Sequence, residues 1–158
     1  MILVTVGTHT DPFLRLVEGM DRAAARLDEE VIIQAGVTAY RPQAAMVFAF
    51  TSQDNMEALY SQARLIISHA GAGAILIALR LGKPLIVMPR LRKYGEHVND
   101  HQVELSRALA ARGAVLLVDE PGELVAAIAA AASFAPAAGR GEPLVDALRR
   151  VAQEPVRA

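Results

Sequence analysis

The chain has 158 residues, 53% of them apolar, and a formal net charge of −1. That length supports one domain with a sizeable core and is too short for two full domains, and the balanced charge argues against a general nucleic-acid binder. With no cysteine there is neither a disulfide nor a thiolate metal site, which leans toward a cytoplasmic protein.

The first apolar run, 2–6, lacks a basic flank and a small-residue cleavage site, so it reads as a strand and not as a signal peptide. It ends in Gly7-Thr8-His9. Either this is a phosphate-facing loop, or it is an ordinary strand-to-helix turn with Thr10 or Asp11 as cap and Pro12 in the first turn. Phe13, Leu16, Val17, Met20 and Ala24 then fall on one face of a first helix. Strand-length runs follow at 31–35 and 46–50, leaving Gln34-Ala35-Gly36 and Thr51-Ser52 at their exits. Asp54 is placed to cap a helix over 55–62 that turns Met56, Leu59 and Tyr60 inward. The run 65–68 leads into His69 and the small-residue turn Ala70-Gly71-Ala72-Gly73-Ala74, which opens a helix over 73–81. Strand 85–88 ends in Arg90 and a polar segment. Helix 99–112, strand 114–118 and helix 123–133 complete the alternation.

Continuous Val/Ile/Leu runs alternating with helices predict an α/β fold, a Rossmann-like doubly wound parallel sheet. Its extent is 1–134, followed by a Pro/Gly-rich linker over 135–143 and a C-terminal helix and tail over 144–158, with the helix at 144–153. No uncharged run reaches the ~20 residues that span a bilayer; the apolar stretch 126–138 is shorter and Pro136 interrupts it. A soluble protein is expected, one that would reach a membrane only through a partner.

Ligands of such sheets sit outside the carboxyl ends of the strands, and five polar strand exits converge there. A helix start offers amides without intrahelical acceptors and the positive end of the dipole. Glycine there allows a phosphate close to the backbone, so His69, Gly71 and Gly73 point to an anion. The turn is not a Walker loop, and Gly7 lacks the further glycines of a dinucleotide fingerprint. Ser68-His69 is not a nucleophile elbow. Arg90 follows a strand and is expected to face a diphosphate. Arg80 and Lys83 read as solvated charges, and with Arg92 and Lys93 the group alternatively forms a patch for an acidic partner or membrane surface. His97 and His101 stand four apart, but HExxH is absent, so no metal is expected. The segment 96–102 reads instead as hydrogen-bonding groups for sugar hydroxyls, with Asn99 or Asp100 also capping a helix.

The stretches VTVGTHTDPFLRLV, VIIQAG, IISHAGAGAILIALRLGKPLIVMPR and YGEHVNDHQ, in that order, resemble the C-terminal domain of family 28 glycosyltransferases, the nucleotide-sugar half of the GT-B architecture found in MurG. The resemblance runs over about residues 1–130, and GEHVNDHQ is its most specific element. It is greatest to free-standing versions of that half, the PssE-type subunits of exopolysaccharide and capsule synthesis. The soluble subunit of the dolichol-pathway GlcNAc transferase is also related.

The resemblance implies a UDP-sugar as donor substrate, with no cofactor and no metal. Gly7 and Thr8, with His69, Gly71, Ala72, Gly73 and Ala74, would hold the diphosphate, and Phe50 and Thr51 would approach the uracil. Arg90, Glu96, His97, Asn99, Asp100, His101 and Gln102 would contact phosphate and sugar. His69 and His101 are the implied assisting catalytic residues, and His9 shares with His69 the option of stabilising the leaving diphosphate. The ribose-binding glutamate of MurG-like enzymes is replaced by Ile77, as expected of the PssE-type group. The acceptor domain, with its base, is missing, which implies a membrane-attached PssD-like acceptor-binding subunit and a lipid-linked saccharide acceptor. A cytoplasmic location with peripheral membrane recruitment follows. Two alternatives stay open: a non-catalytic nucleotide-sugar-binding module that activates or anchors a partner, and a self-sufficient enzyme such as an epimerase.

Overall fold

The computed structural model describes residues 1–137. Six parallel strands form one sheet: β1 (Ile2–Thr5), β2 (Val31–Gln34), β3 (Met46–Phe48), β4 (Leu65–Ser68), β5 (Leu85–Val87) and β6 (Leu116–Leu117). Between and after them lie α1 (Leu14–Ala24), α2 (Gln53–Gln62), α3 (Ala72–Arg80), α4 (His101–Ala111) and α5 (Leu124–Ala131). The strand order β3-β2-β1-β4-β5-β6 is that of a Rossmann-like doubly wound sheet. Every strand read from the sequence is present, each trimmed by at most a few residues. The helix at 144–153 and the linker from 138 onward lie outside the described residues.

β1 is the central strand. Its Thr5 is level with Gln34 of β2 on one side and Ser68 of β4 on the other. The chain builds β2 and β3 outward from β1, then returns to build β4, β5 and β6 on the opposite side. The connections leaving β1 and β4 therefore run to opposite faces, and a crevice opens between their carboxyl ends.

Alternation along the strands divides the core into two layers. Ile2, Val4 and Val6 pack with Phe13, Leu16 and Met20 of the α1 region and Leu124 and Ile128 of α5. Leu3, Ile66, Leu85 and Val87 pack with Tyr60 of α2, Ile75 of α3 and Leu105 and Leu109 of α4. With helices on both faces, β1, β4 and β5 are buried throughout. Each such side chain contributes roughly 1.5–3 kcal/mol by leaving water.

The helix starts differ from the sequence expectation. Ser52, not Asp54, caps α2: its Oγ accepts the Asn55 amide at 3.3 Å, and Asp54 lies in the first turn, where a carboxylate favours the dipole. Neither Thr10 nor Asp11 caps α1. Phe13 holds that position without a side-chain cap, and its amide donates to Thr38 Oγ1 at 2.8 Å. α4 begins at His101. Asp100 is its N-cap residue, but its carboxylate accepts the Arg92 amide instead, while Asn99 Oδ1 takes the His101 amide at 3.3 Å.

Asp21 is a buried carboxylate on α1 that no motif marks. Oδ1 accepts the amides of Ala44 and Ala45, and Oδ2 accepts the Gln43 amide and the Tyr40 hydroxyl, all within 2.9 Å. These bonds fasten the connection between β2 and β3 to α1. Burial alone would raise its pKa, but the three amides and the Tyr40 hydroxyl together outweigh that and hold it below 3.8. A depressed folded-state pKa gives stability that is complete above the unfolded value and is lost as pH falls through the folded one. Asp21→Asn should therefore lower the unfolding free energy by about 2 kcal/mol at neutral pH, with the difference from wild type shrinking below about pH 4. Urea unfolding across that range reads both effects, and equal midpoints at neutral pH would contradict them.

Candidate functional site

The switch point is occupied by an imidazole. His69, the residue after β4, lies between Gly7 after β1 and Gly71 before α3. A Cβ on Gly7 would stand 2.5 Å from His69 Cε1, and one on Gly71 would collide with Nε2. Gly7 also has φ +74°, the left-handed region. The glycines that the sequence reading assigned to a close phosphate are thus required first by the His69 ring. Ala70, buried beside them, has φ +64°, a conformation that L-residues adopt at a cost and that gathers at functional sites.

His69 Nδ1 lies 3.3 Å from the Thr5 carbonyl, an acceptor only, so Nδ1 carries the proton and Nε2 is left bare; Ser68 Oγ is 3.4 Å from the same nitrogen. Burial first, then the charge of Arg90 and the neighbouring His9 and His97, push its pKa down to about 4, against the pull of the Thr5 carbonyl. His69 is neutral at physiological pH.

Gln34 holds the floor of the crevice. Its Oε1 accepts the Thr5 hydroxyl at 2.7 Å and the Gly7 amide at 3.2 Å, and its Nε2 donates to the carbonyls of Gly7 and Ala49 at 3.0 Å each. One side chain thus fastens the exits of β1, β2 and β3. The Gly7 amide is consumed here, so Gly7 contributes its conformation and not a free donor. Thr8 is exposed beside it.

Arg90 departs from its expected role. It is wholly buried: Nη1 donates to the carbonyls of Asp11, Pro12 and Glu96 at 3.0 to 3.3 Å, Nη2 to that of Val6 at 3.0 Å, and the guanidinium lies 4.8 Å from the Phe13 ring centroid. Both terminal nitrogens are committed to these carbonyls, while the buried Nε has no hydrogen-bond partner among the described residues. It reaches a ligand through its field, which adds to burial in lowering the pKa of His69 and His97. Among the described residues no carboxylate lies within ion-pairing distance of it. Glu96 departs likewise. It is buried, paired with Arg15 at 2.9 Å, and accepts the Leu91 amide at 2.9 Å, so it shapes the 91–96 loop and does not present itself to a sugar.

The remaining expected residues ring the crevice. Ala72, Gly73 and Ala74 form the first turn of α3, where the amides have no intrahelical acceptor. Gly73 is exposed, with nothing within 4 Å of a Cβ built on it. Phe50 and Thr51 line a groove of about 410 Å3 with Phe48, Asn55, Ala58, Leu59 and Gln62. Phe50 is 54% exposed, an aromatic surface without a protein partner. Gln102 Oε1 accepts the Arg90 amide at 3.1 Å, and His101 is half-buried at the start of α4. The His97 ring meets that of His9 at 4.7 Å. Ile77 lies on the outer side of α3, lining a separate groove with Glu57, Ser61, Arg80 and Leu81. Lys83 Nζ is held by the Ser61 carbonyl at 2.8 Å, while Arg92 and Lys93 are exposed. Among the described residues no group of three or more His, Cys, Asp or Glu is arranged to hold a metal.

The wedge yields a double-mutant test. Gly71→Ala should destabilise by about 1–3 kcal/mol through overpacking. In a His69→Ala background it should cost much less, leaving only a small cap penalty, because φ −70° at this position suits any residue. Strictly additive unfolding free energies would refute the contact.

Residues 1–140 match the glycosyltransferase family 28 C-terminal domain. The UDP-N-acetylglucosamine transferase subunit ALG13 of Eremothecium gossypii is 34% identical over 102 residues, which cover 64% of this chain and 48% of that protein. The UDP-N-acetylglucosamine--N-acetylmuramyl-(pentapeptide) pyrophosphoryl-undecaprenol N-acetylglucosamine transferase of Chlorobium phaeobacteroides is 34% identical over 88 residues, 56% of this chain and 22% of that enzyme. The chain thus spans less than half the length of these curated relatives. The solution structure of ALG13 matches with a TM-score of 0.63 at 21% identity, over 95% of this chain and 94% of that one. The kitacinnamycin glycosyltransferase matches with a TM-score of 0.64 at 23% identity, over 95% of this chain and 37% of that one. At these identities the likeness is one of fold, and it extends to the whole sheet. The order of the strands, the histidine-glycine turn at their switch point and the family match agree: the chain belongs to the C-terminal domains of glycosyltransferase family 28.

Proposed function

We propose that the chain is the UDP-sugar-binding subunit of an inverting two-component glycosyltransferase, joined by a membrane-attached PssD-like subunit that binds a lipid-linked saccharide acceptor in exopolysaccharide or capsule synthesis. The observation that carries this is the crevice between β1 and β4. It combines a helix start with free amides, an unobstructed Gly73 and a buried cation without a contacting carboxylate. Such a site suits a diphosphate. The aromatic groove at Phe50 and Thr51 lies one strand exit beyond β2, on the side where a base linked to that diphosphate would extend. Relatives that are subunits of UDP-N-acetylglucosamine transferases support the class of donor.

In the transfer, an acceptor hydroxyl oxygen bonds to the anomeric carbon as the bond from that carbon to the diphosphate oxygen breaks. UDP leaves with the electron pair, and the hydroxyl proton passes to a base. Glu96 is engaged with Arg15 and Leu91, which favours a base on the partner. His69, with Nε2 bare, stabilises the departing diphosphate as a donor only after taking up a proton. His101 and Gln102 stand at the sugar end, and Asn99 and Asp100 fix the loop that positions them. No cofactor is required, and the helix start and the Arg90 field neutralise the diphosphate without a metal. The protein acts at the cytoplasmic face, recruited by its partner; among the described residues no helix is long and apolar enough to cross a membrane.

Calorimetric titration with UDP and several UDP-sugars should show 1:1 binding. Gly73→Val should weaken it at least tenfold while leaving the unfolding midpoint within a few degrees. Transfer should appear only on adding the partner and fall at least tenfold in His69→Ala. Equal binding by Gly73→Val would remove the nucleotide from the α3 start. Full transfer activity in both His69→Ala and His101→Ala would leave a binding module that serves the partner.

A further inference from the structure

His9 and His97 come from different loops, one after β1 and the other between β5 and α4, yet their rings meet across the crevice mouth. Their centroids are 4.7 Å apart with the planes inclined by 31°. The backbone fixes the protonation of each ring in the same way. The Asp11 amide donates to His9 Nδ1 at 3.1 Å, and the Asn99 amide donates to His97 Nδ1 at 3.3 Å. An amide only donates, so both Nδ1 atoms are bare and both neutral rings carry their proton on Nε2. The contact therefore brings together two rings that each carry an Nε2–H, while the neighbouring His69 holds a bare Nε2.

The charged groups around this pair are unequal. Asp11 faces His9, its Oδ2 lying 3.4 Å from Nδ1. Arg90 acts on His97 and on His69, and His9 adds to the lowering of both. The adjoining Glu96 is neutralised by Arg15. Burial first, then His9 and Arg90, hold His97 below its usual pKa. Cations and imidazoles thus outnumber free carboxylates here, and an arriving anion would favour the charged form of each ring.

We propose that His9 and His97 form a two-imidazole clasp that donates both Nε2–H groups to one phosphoryl group of the bound nucleoside diphosphate, and that closing it draws a proton onto the histidine cluster. The clasp rests on the donor-binding role given above. It ties the β1 exit to the loop before α4 through the ligand, so the anion itself completes the site. Affinity then rises as pH falls from the bound-state pKa of the cluster toward its free-state value, and is flat beyond both.

The test uses the full chain and UDP-glucose, whose diphosphate has no ionisation near neutrality, with uridine as the phosphate-free control. Imidazole 15N spectra of the free protein should show His9 and His97 protonated on Nε2. UDP-glucose affinity measured from about pH 8.5 to 5.5 should strengthen by up to about tenfold per pH unit for one proton taken up, and uridine should show no such slope. In His9→Gln and His97→Gln, which keep a neutral donor but cannot charge, the slope should flatten and the gain at low pH should be lost. Three results would overturn the clasp: Nδ1–H tautomers at either ring, a wild-type affinity independent of pH, or an undiminished slope in both variants. Absence of any UDP-glucose binding would overturn the donor-binding role together with it.

Discussion

A single buried cation organises the carboxyl edge of this sheet. Arg90 leaves β5 and turns inward, where four carbonyls from three separate segments receive its two terminal nitrogens. Val6 belongs to the exit of β1, Asp11 and Pro12 to the loop entering α1, and Glu96 to the loop before α4. A guanidinium can do this because its fork of donors matches several acceptors at once, and because it does not shed its charge when buried. Removing it would leave those carbonyls without their donor and let three loops drift. The same charge, set behind the crevice without a carboxylate in contact, gives the site its positive field. Arg15 and Glu96 extend the arrangement outward: Arg15 pairs with that carboxylate and also donates to the carbonyls of Pro89 and Asp119.

Around this scaffold the site is built from neutral parts that anticipate charge. His69 is wedged between two glycines and kept uncharged, and His9 and His97 present their protons in the tautomers that the backbone selects. An anion entering such a place meets preorganised donors and little reorganisation, the arrangement that favours charge developing on a leaving group. Phe50 and Val98 are large apolar side chains left exposed, as the proposed partner subunit would require.

The sequence reveals the fold readily, because strands covered on both faces must be continuous Val/Ile/Leu runs and those runs leave little freedom in their assignment. The His69–Gly73 turn is equally visible, as small residues at a strand exit are rare without a reason. Its reason was half-visible: glycine signals close approach without saying what approaches, and here an imidazole comes first. Arg90 is legible as a polar strand exit but its inward geometry is not, since partners at Val6, Asp11, Pro12 and Glu96 leave no local pattern. Gln34 stands within VIIQAG without a sign of its role, which comes from register: three strand exits lie within reach of one amide. His9 and His97 are separated by most of the domain, so only the folded sheet shows them as a pair.

The central claim is that the nucleotide lies across the β1 and β4 exits with its diphosphate on the α3 start. Backbone 15N chemical-shift mapping during a UDP titration addresses it directly. The account predicts the largest shifts at Thr8, His9, His69 through Ala74, and Phe50 and Thr51, with the outer groove at Ile77 and Arg80 unmoved. Shifts centred on that outer groove, or on the far ends of the strands, would contradict it.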